Sequence, residues 1–170
     1  RDCKRLTSIT IPESVTSIGT GAFRACVGLT SITIPESVTS IGTAAFRTCV
    51  DLTSITIPDS VTSIGKIAFW ACSSLTSVTI PDGVTSIEEC AFRDCRSMTS
   101  ITIGNSVTSI GRGAFYDCRG LTTVTFLGDA PKAGEKVFTQ APSTIYRKPE
   151  AKGWGDTFGG RPVKLISEKP

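Results

Sequence analysis

LTSITIPESVTSIGTGAFRACVG, residues 6–28, is the first of six tandem copies of one unit, and its reading decides the fold. The copies open at Leu6, Leu29, Leu52, Leu75, Met98 and Leu121, so five periods of 23 account for the 115 residues from first to last. Counted from its opening residue, the unit is apolar at positions 1, 4, 6, 10, 13, 17, 18 and 21. Alternation of Ile9, Thr10 and Ile11 is the period-2 mark of a strand with one face inward and one in water. Pro12, Pro35, Pro58 and Pro81 end that strand, because proline has no N–H to donate to a ladder. VTSIG then reads as a shorter second extended segment with Val15 and Ile18 inward. Gly19, Gly42, Gly65 and Gly111 are expected to close it by supplying a turn conformation most residues resist. Ala22, Phe23 and Cys26, spaced i, i+1, i+4, suit one short helical or 3₁₀ turn. A single coil cannot bury its own apolar face. Stacked at the ~4.8 Å strand spacing, six make a curved right-handed solenoid about 25–30 Å long with one parallel β-strand per coil.

The composition narrows the function from another side. Of 170 residues, 39% are hydrophobic and only 19% charged, and 18 Lys and Arg against 15 Asp and Glu leave +3. That charge is too small and dispersed for the electrostatic footprint of a nucleic-acid binder. Histidine is absent, which removes the commonest general base, His-assisted nucleophiles and His-based metal sites. No apolar run approaches the ~18 residues of a membrane span, and no phosphate-binding Gly-rich loop is present. No cofactor, nucleic acid or membrane insertion is expected, and an enzyme is the least supported reading.

The pattern LxxIxIPxxVxxIGxxAFxxCxx, held in register from Cys3 to about Phe138, resembles the 23-residue leucine-rich repeat of the BspA-like, or Treponema-type, surface proteins. The resemblance implies a leucine-rich-repeat solenoid at the cell surface or secreted, with an adhesin-type role in binding extracellular-matrix, host-cell or neighbour-cell proteins. It transfers no catalytic residue.

Residues 1–138 are read as the solenoid, with a truncated first coil at 1–5, since RDCKRL matches only the tail of a unit such as FRDCRSM. The chain is therefore expected to be part of a longer protein. An uncapped edge at Leu6, Ile9 and Ile11 is expected to favour end-to-end self-association. Residues 139–170 read as a C-terminal cap. In it Thr144 to Tyr146 add a strand, Trp154 and Phe158 cover the core, Val163 to Ile166 end extended, and Gly153, Gly155, Gly159 and Gly160 allow a tight path. Carbohydrate stacking on Trp154 is the alternative use of that segment.

Cys3, Cys26, Cys49, Cys72, Cys95 and Cys118 recur at unit position 21, and only Cys90 stands elsewhere, at position 16. A ladder spreads sulfurs along an axis where a zinc tetrahedron needs them convergent, so the expectation is a row of inert buried thiols. Oxidation between neighbouring rungs is the rival, opposed by side chains that all point one way. Cys90 is expected to be partly exposed.

Three surface ladders are candidates for function. Thr10, Thr33, Thr56, Thr79, Thr102 and Thr125, with a parallel Ser/Thr row two residues earlier, form a hydroxyl face. It reads as ordinary exposed strand chemistry, or else as a match for an equally repetitive surface such as ice or mineral. Glu13, Glu36, Asp59 and Asp82 form an acidic row that reads as a solvated turn, with no calcium-loop spacing behind it. Position 19 reads Arg24, Arg47, Trp70, Arg93 and Tyr116. These residue types dominate interface hot spots, though Arg and rings can also stack on one another with no ligand. A protein-binding patch at Arg47, Trp70, Arg93 and Tyr116 is thus the leading candidate site, and an inert spacer presenting another domain is the alternative function.

Overall fold

The computed structural model describes residues 3–169; Arg1 and Asp2 of the expected truncated coil, and Pro170, lie outside the described residues. The chain winds as a parallel β-solenoid of 23-residue coils. In the second coil all eight predicted core positions, Leu29, Ile32, Ile34, Val38, Ile41, Ala45, Phe46 and Cys49, are buried. Position-18 phenylalanines form an axial stack from Phe23 to Phe138, with successive ring centroids 5.1–5.7 Å apart and planes within 12°.

Each coil has three sides. The first carries Ser31–Thr33, Ser54–Thr56, Ser77–Ile80, Ser100–Ile103 and Thr123–Phe126. The later strands of this side gain a residue where proline gives way to Gly104 and Leu127, whose N–H groups donate to Ile80 and Ile103. The second side is a six-stranded parallel sheet running from Ser17–Ile18 to Lys132–Ala133. Threonine hydroxyls at the corners add rungs of their own. Those of Thr30, Thr53, Thr76, Thr99 and Thr122 each donate to the carbonyl of the threonine one coil earlier.

The third side differs from the helical or 3₁₀ turn that the Ala-Phe spacing suggests. It is a run of i→i+3 turns, as in Ala22 N–H to Gly19, Arg24 to Gly21 and Cys26 to Phe23. Helix cannot propagate because positions 16 and 20 both take positive φ, from Gly21 and Ala25 through Ala44, Thr48, Ile67 and Ala71 to Lys136 and Gln140. Alternate N–H groups donate forward to the next coil, as in Phe23 to Ala45 and Ala25 to Arg47, so this side is a third inter-coil ladder. Position 14 also departs from expectation. Gly19, Gly42, Gly65 and Gly111 are absent from the positive-φ set. Gly42, Gly65 and Gly111 are required by close approach instead: a Cβ on Gly65 would stand 2.6 Å from Thr43 N, and one on Gly111 2.5 Å from Glu89 N.

Glu88 occupies that close-approach position in the fourth coil, and the stack loosens there. Gly42, Gly65 and Gly111 each donate to the isoleucine one coil back, whereas Glu88 makes no such bond to Ile64 among the described hydrogen bonds. Pairing of Ser63–Ile64 with Ser86–Ile87 narrows to Ile64 and Ile87, and Ser54–Thr56 and Ser77–Ile80 fall in separate sheets. The third side still holds this junction through Phe69 to Ala91 and Ala71 to Arg93.

At the first coil Ile9 is the only exposed large hydrophobic residue among those described, at 37%. With Ile11, Val15, Ala22 and Phe23 it lines an apolar groove of about 250 Å³. At the other end Thr144–Arg147 pairs with Thr123–Phe126, Arg161–Leu165 pairs with Thr144–Arg147, and Thr157–Phe158 turns back antiparallel. Trp154 and Phe158 pack on Phe126 with centroids 4.9 and 5.5 Å away, and the Trp154 Nε1–H donates to the Gly128 carbonyl. Trp154 is thereby half-buried in an aromatic cluster. No helix of the described residues is long and apolar enough to cross a membrane.

Candidate interaction edge

Position 19 leaves the core side of each turn, so its side chains align along one edge of the third side. The four candidate residues meet there. Arg47 Cζ lies 4.4 Å from the Trp70 ring centroid, Arg93 Cζ 5.3 Å from the same ring, and 4.6 Å from that of Tyr116. Cation and ring alternate through four successive coils. Such contacts contribute about 0.5–1 kcal/mol each at exposed sites, which offsets part of the cost of ordering the side chains.

Two carboxylates lock this edge from beside it, and the position-19 pattern does not announce them. Asp94 accepts from Trp70 Nε1 at 2.9 Å, from Arg93 Nε at 3.4 Å and from Arg96 at 3.2 Å. Asp117 is 4% exposed and accepts from Arg96 Nε at 3.0 Å and Arg119 Nε at 2.6 Å. The Arg119 hydrogen bond, helped by the charges of Arg119 and Arg96, outweighs the opposing effect of burial and holds the Asp117 carboxyl below its ordinary value. Its stabilising effect is accordingly present above the ordinary carboxylate pKa and lost as pH falls through the lowered one. The sequence signal was the tripeptide Asp-Cys-Arg at 94–96 and again at 117–119, where earlier coils have Ala-Cys-Val, Thr-Cys-Val and Ala-Cys-Ser. Both aspartates also sit at positive φ, which Asp tolerates better than most residues.

The hydroxyl face is open over part of its length only. Thr10, Thr33, Thr56 and Thr79 are exposed, Thr102 is half-buried, and Thr125 is buried at 7%. Lys169 approaches the Thr125 hydroxyl with its Nζ at 3.5 Å, so the sixth rung is covered where the pattern predicts exposure. Glu13, Glu36, Asp59 and Asp82 are exposed on the turn after the strand, and Asp82 accepts from both the backbone and the side chain of Asn105.

Cys26, Cys49, Cys72, Cys95 and Cys118 are buried free thiols and Cys90 is a half-exposed one, whereas Cys3, expected to be a buried rung of the same ladder, is exposed. Each thiol from Cys49 to Cys118 donates to the carbonyl of a phenylalanine on the preceding coil, at 3.0–3.2 Å. Burial pushes Cys49 and Cys118 up to about 12 and Cys72 and Cys95 well above the usual thiol range. Thiolate, the reactive form, is therefore suppressed along the ladder. Titration of the native protein with a thiol reagent is expected to modify Cys3 and Cys90 fast and the other five only on unfolding. Rapid modification of all seven would show that the ladder is not closed.

Cys90 lies in a groove of about 340 Å³ that runs beside the edge from the fourth coil to the sixth, bounded by Glu89, Arg93, Arg112, Gly113, Tyr116 and Lys136. The edge as a whole offers rigid aromatic and guanidinium surface.

The model of the BspA type leucine rich repeat region matches the chain in six copies over residues 1–122 and 62–147. Among solved structures, the chain is similar to a leucine-rich-repeat protein of T. pallidum (TM-score 0.72, 29% identity, 80% of this chain and 77% of that one). It is also similar to a leucine-rich cell-surface protein from Faecalibacterium prausnitzii A2-165 (TM-score 0.63, 28% identity, 85% of this chain and 48% of that one). The pneumococcal vaccine antigen PcpA shares the fold (TM-score 0.70, 21% identity, 86% of this chain and 37% of that one). The chain thus spans less than half the length of the last two. The comparison with curated proteins gave no match.

Proposed function

The chain belongs to the BspA-type leucine-rich-repeat family, and we propose that it is a non-catalytic protein-interaction module of adhesin type on a cell-surface or secreted protein. Its partner class is host, neighbour-cell or extracellular-matrix protein, and its binding side is the edge of Arg47, Trp70, Arg93 and Tyr116. The observation that carries this reading is the alternating cation–ring stack fixed by Asp94. Interface hot spots are rigid Trp, Tyr and Arg side chains whose ordering cost is met before the partner arrives. Here the ordering is internal to the fold. Residues 1–138 form the interaction solenoid and residues 139–170 its cap, the latter supported by Trp154 and Phe158 over Phe126.

A second reading, an inert spacer presenting another domain, is favoured by the sameness of the open hydroxyl rungs. Recognition surfaces of solenoids gain specificity from variation between coils, and Thr10, Thr33, Thr56 and Thr79 offer none. A label-free binding screen against matrix proteins, fibrinogen and a glycan panel separates the two, run beside an Arg47→Ala, Trp70→Ala variant whose fold is checked by circular dichroism. Saturable protein binding lost in the variant supports the adhesin-type edge. Retained binding moves the site to the hydroxyl rungs or the cap, and no binding at high micromolar concentration favours the spacer. Light scattering of the same samples tests self-association through the Ile9 groove, which a concentration-independent monomer mass rules out.

A further inference from the structure

The position-19 row changes character after Arg93, and the groove beyond it differs chemically from the rest of the edge. Trp70 has a guanidinium from the coil on either side, so both its faces are engaged. Tyr116 is engaged by Arg93 alone, and the next residue of the row is Thr139. The phenol lines the groove, and Arg93 is the one guanidinium placed over its ring. Arg112 and Lys136, both exposed, carry no ion pair or side-chain hydrogen bond among the described residues. Glu89, the groove's one acid, already has Lys66 at 3.7 Å. Two unpaired cations, Arg112 and Lys136, therefore face one acid that is partly neutralised from outside, while Arg93 is already held by Asp94. Unpaired cations beside a half-covered ring are what a desolvated carboxylate requires for charge-assisted hydrogen bonds.

Resting on the reading of this edge as the binding side, we infer that the groove between Tyr116, Arg112 and Lys136 receives acidic side chains of an extended peptide segment of the partner protein. The confinement of the positive charge argues for a peptide. Asp94 takes up Arg93 at 3.4 Å, and Glu88 and Glu135 stand beside Glu89 and Lys136 in the chain. A polysulfated glycan needs an unbroken cationic stripe and meets carboxylates here, whereas one or two Asp or Glu side chains fit about 340 Å³.

The test uses three probes by fluorescence anisotropy at low salt: a labelled dodecapeptide of alternating Glu and Gly, its Gln counterpart, and a heparin dodecasaccharide. The Glu peptide is expected to bind saturably, the Gln peptide not at all. Arg112→Glu with Lys136→Glu should weaken the Glu peptide at least about tenfold, and Arg24→Glu, four coils from Tyr116 in the same row, should leave it unchanged. Arg24→Glu reverses one charge where the double variant reverses two, so a logarithmic loss half as large or more in Arg24→Glu overturns the inference as a net-charge effect. No binding of the Glu peptide, or heparin binding tighter than it through the same two cations, overturns it too. The binding-side reading fails separately: a protein ligand lost in Arg47→Ala, Trp70→Ala but kept in the Arg112, Lys136 reversal leaves the edge standing and sinks the acidic groove.

Discussion

Replacing Phe69 by alanine is expected to lower the unfolding free energy by about 3–5 kcal/mol, the range for emptying a large aromatic site in a packed core. Phe69 is fully buried, with Phe46 5.2 Å away on one side and Phe92 5.1 Å on the other, in planes within 5°. Offset ring pairs add about 0.5–1.5 kcal/mol beyond area burial, and this substitution removes two. In a quasi-one-dimensional stack each coil is stabilised by its neighbours alone, so a void in the third coil weakens the coupling between both halves. The junction with the fourth coil is already the loosest, lacking the first-side pairing. Denaturant unfolding should therefore lose its single transition. Trp70 in the third coil is expected to report a lower midpoint than Trp154 over the last. Phe23→Ala, at the half-buried end of the stack with Phe46 as its one stacked ring, is the control and should cost less than half as much. Equal losses at Phe23 and Phe69, or a loss at Phe69 under about 1 kcal/mol, would contradict axial stacking as the source of stability.

Most of this architecture was legible because the repeat states the same rule six times. A single Ile-Thr-Ile triplet is weak evidence for a strand; its recurrence every 23 residues leaves parallel stacking as the one way to bury Ile9's counterparts Ile32, Ile55 and Ile101 together. What the repeat concealed lies in the backbone. Ala44, Ile67 and Lys136 share positive φ with Gly21 and Gly113, and no residue-type rule signals a left-handed site that isoleucine occupies. The third ladder imposes that conformation from outside, through N–H groups aimed at the next coil.

The candidate edge was legible for a related reason. Arg47, Trp70, Arg93 and Tyr116 stand at one position of the unit, and register alone brings them within cation–π distance. Asp94 and Asp117 belong to a different position, and their contacts run diagonally, Trp70 reaching Asp94 across 24 residues and Arg96 reaching Asp117 across 21. A reading by columns misses diagonals. Thr125 was misplaced for a similar reason: its column predicts exposure, and Lys169, 44 residues further on, approaches it from outside the repeat.

Gly65→Ala and Gly19→Ala are expected to differ sharply, although the repeat makes the two positions equivalent. A Cβ on Gly65 would meet Thr43 N at 2.6 Å, Gly42 C at 2.7 Å and Thr43 Cα at 3.0 Å, all main-chain atoms that cannot rotate aside. On Gly19 it would meet nothing within 4 Å. Neither residue has positive φ, so alanine is conformationally acceptable at both and only the approach of the preceding coil separates them. Overpacking of this kind costs about 1–3 kcal/mol, a fall of about 2–12 °C in Tm for a domain of this length. Gly19→Ala should stay within about 0.5 kcal/mol, with a slight gain available from the reduced entropy of the unfolded chain. Glu88 shows what a Cβ at this position does: the bond to Ile64 is missing and pairing narrows to one residue pair. Gly65→Ala should reproduce that loosening one coil earlier, visible as faster exchange of the residue-65 amide, whose N–H donates to Ile41 at 2.8 Å when glycine is present. Equal destabilisation of the two variants would instead assign these glycines to a local turn conformation. Coil spacing would then be set by the side chains of the core, and Glu88 would cease to explain the loose junction beside it.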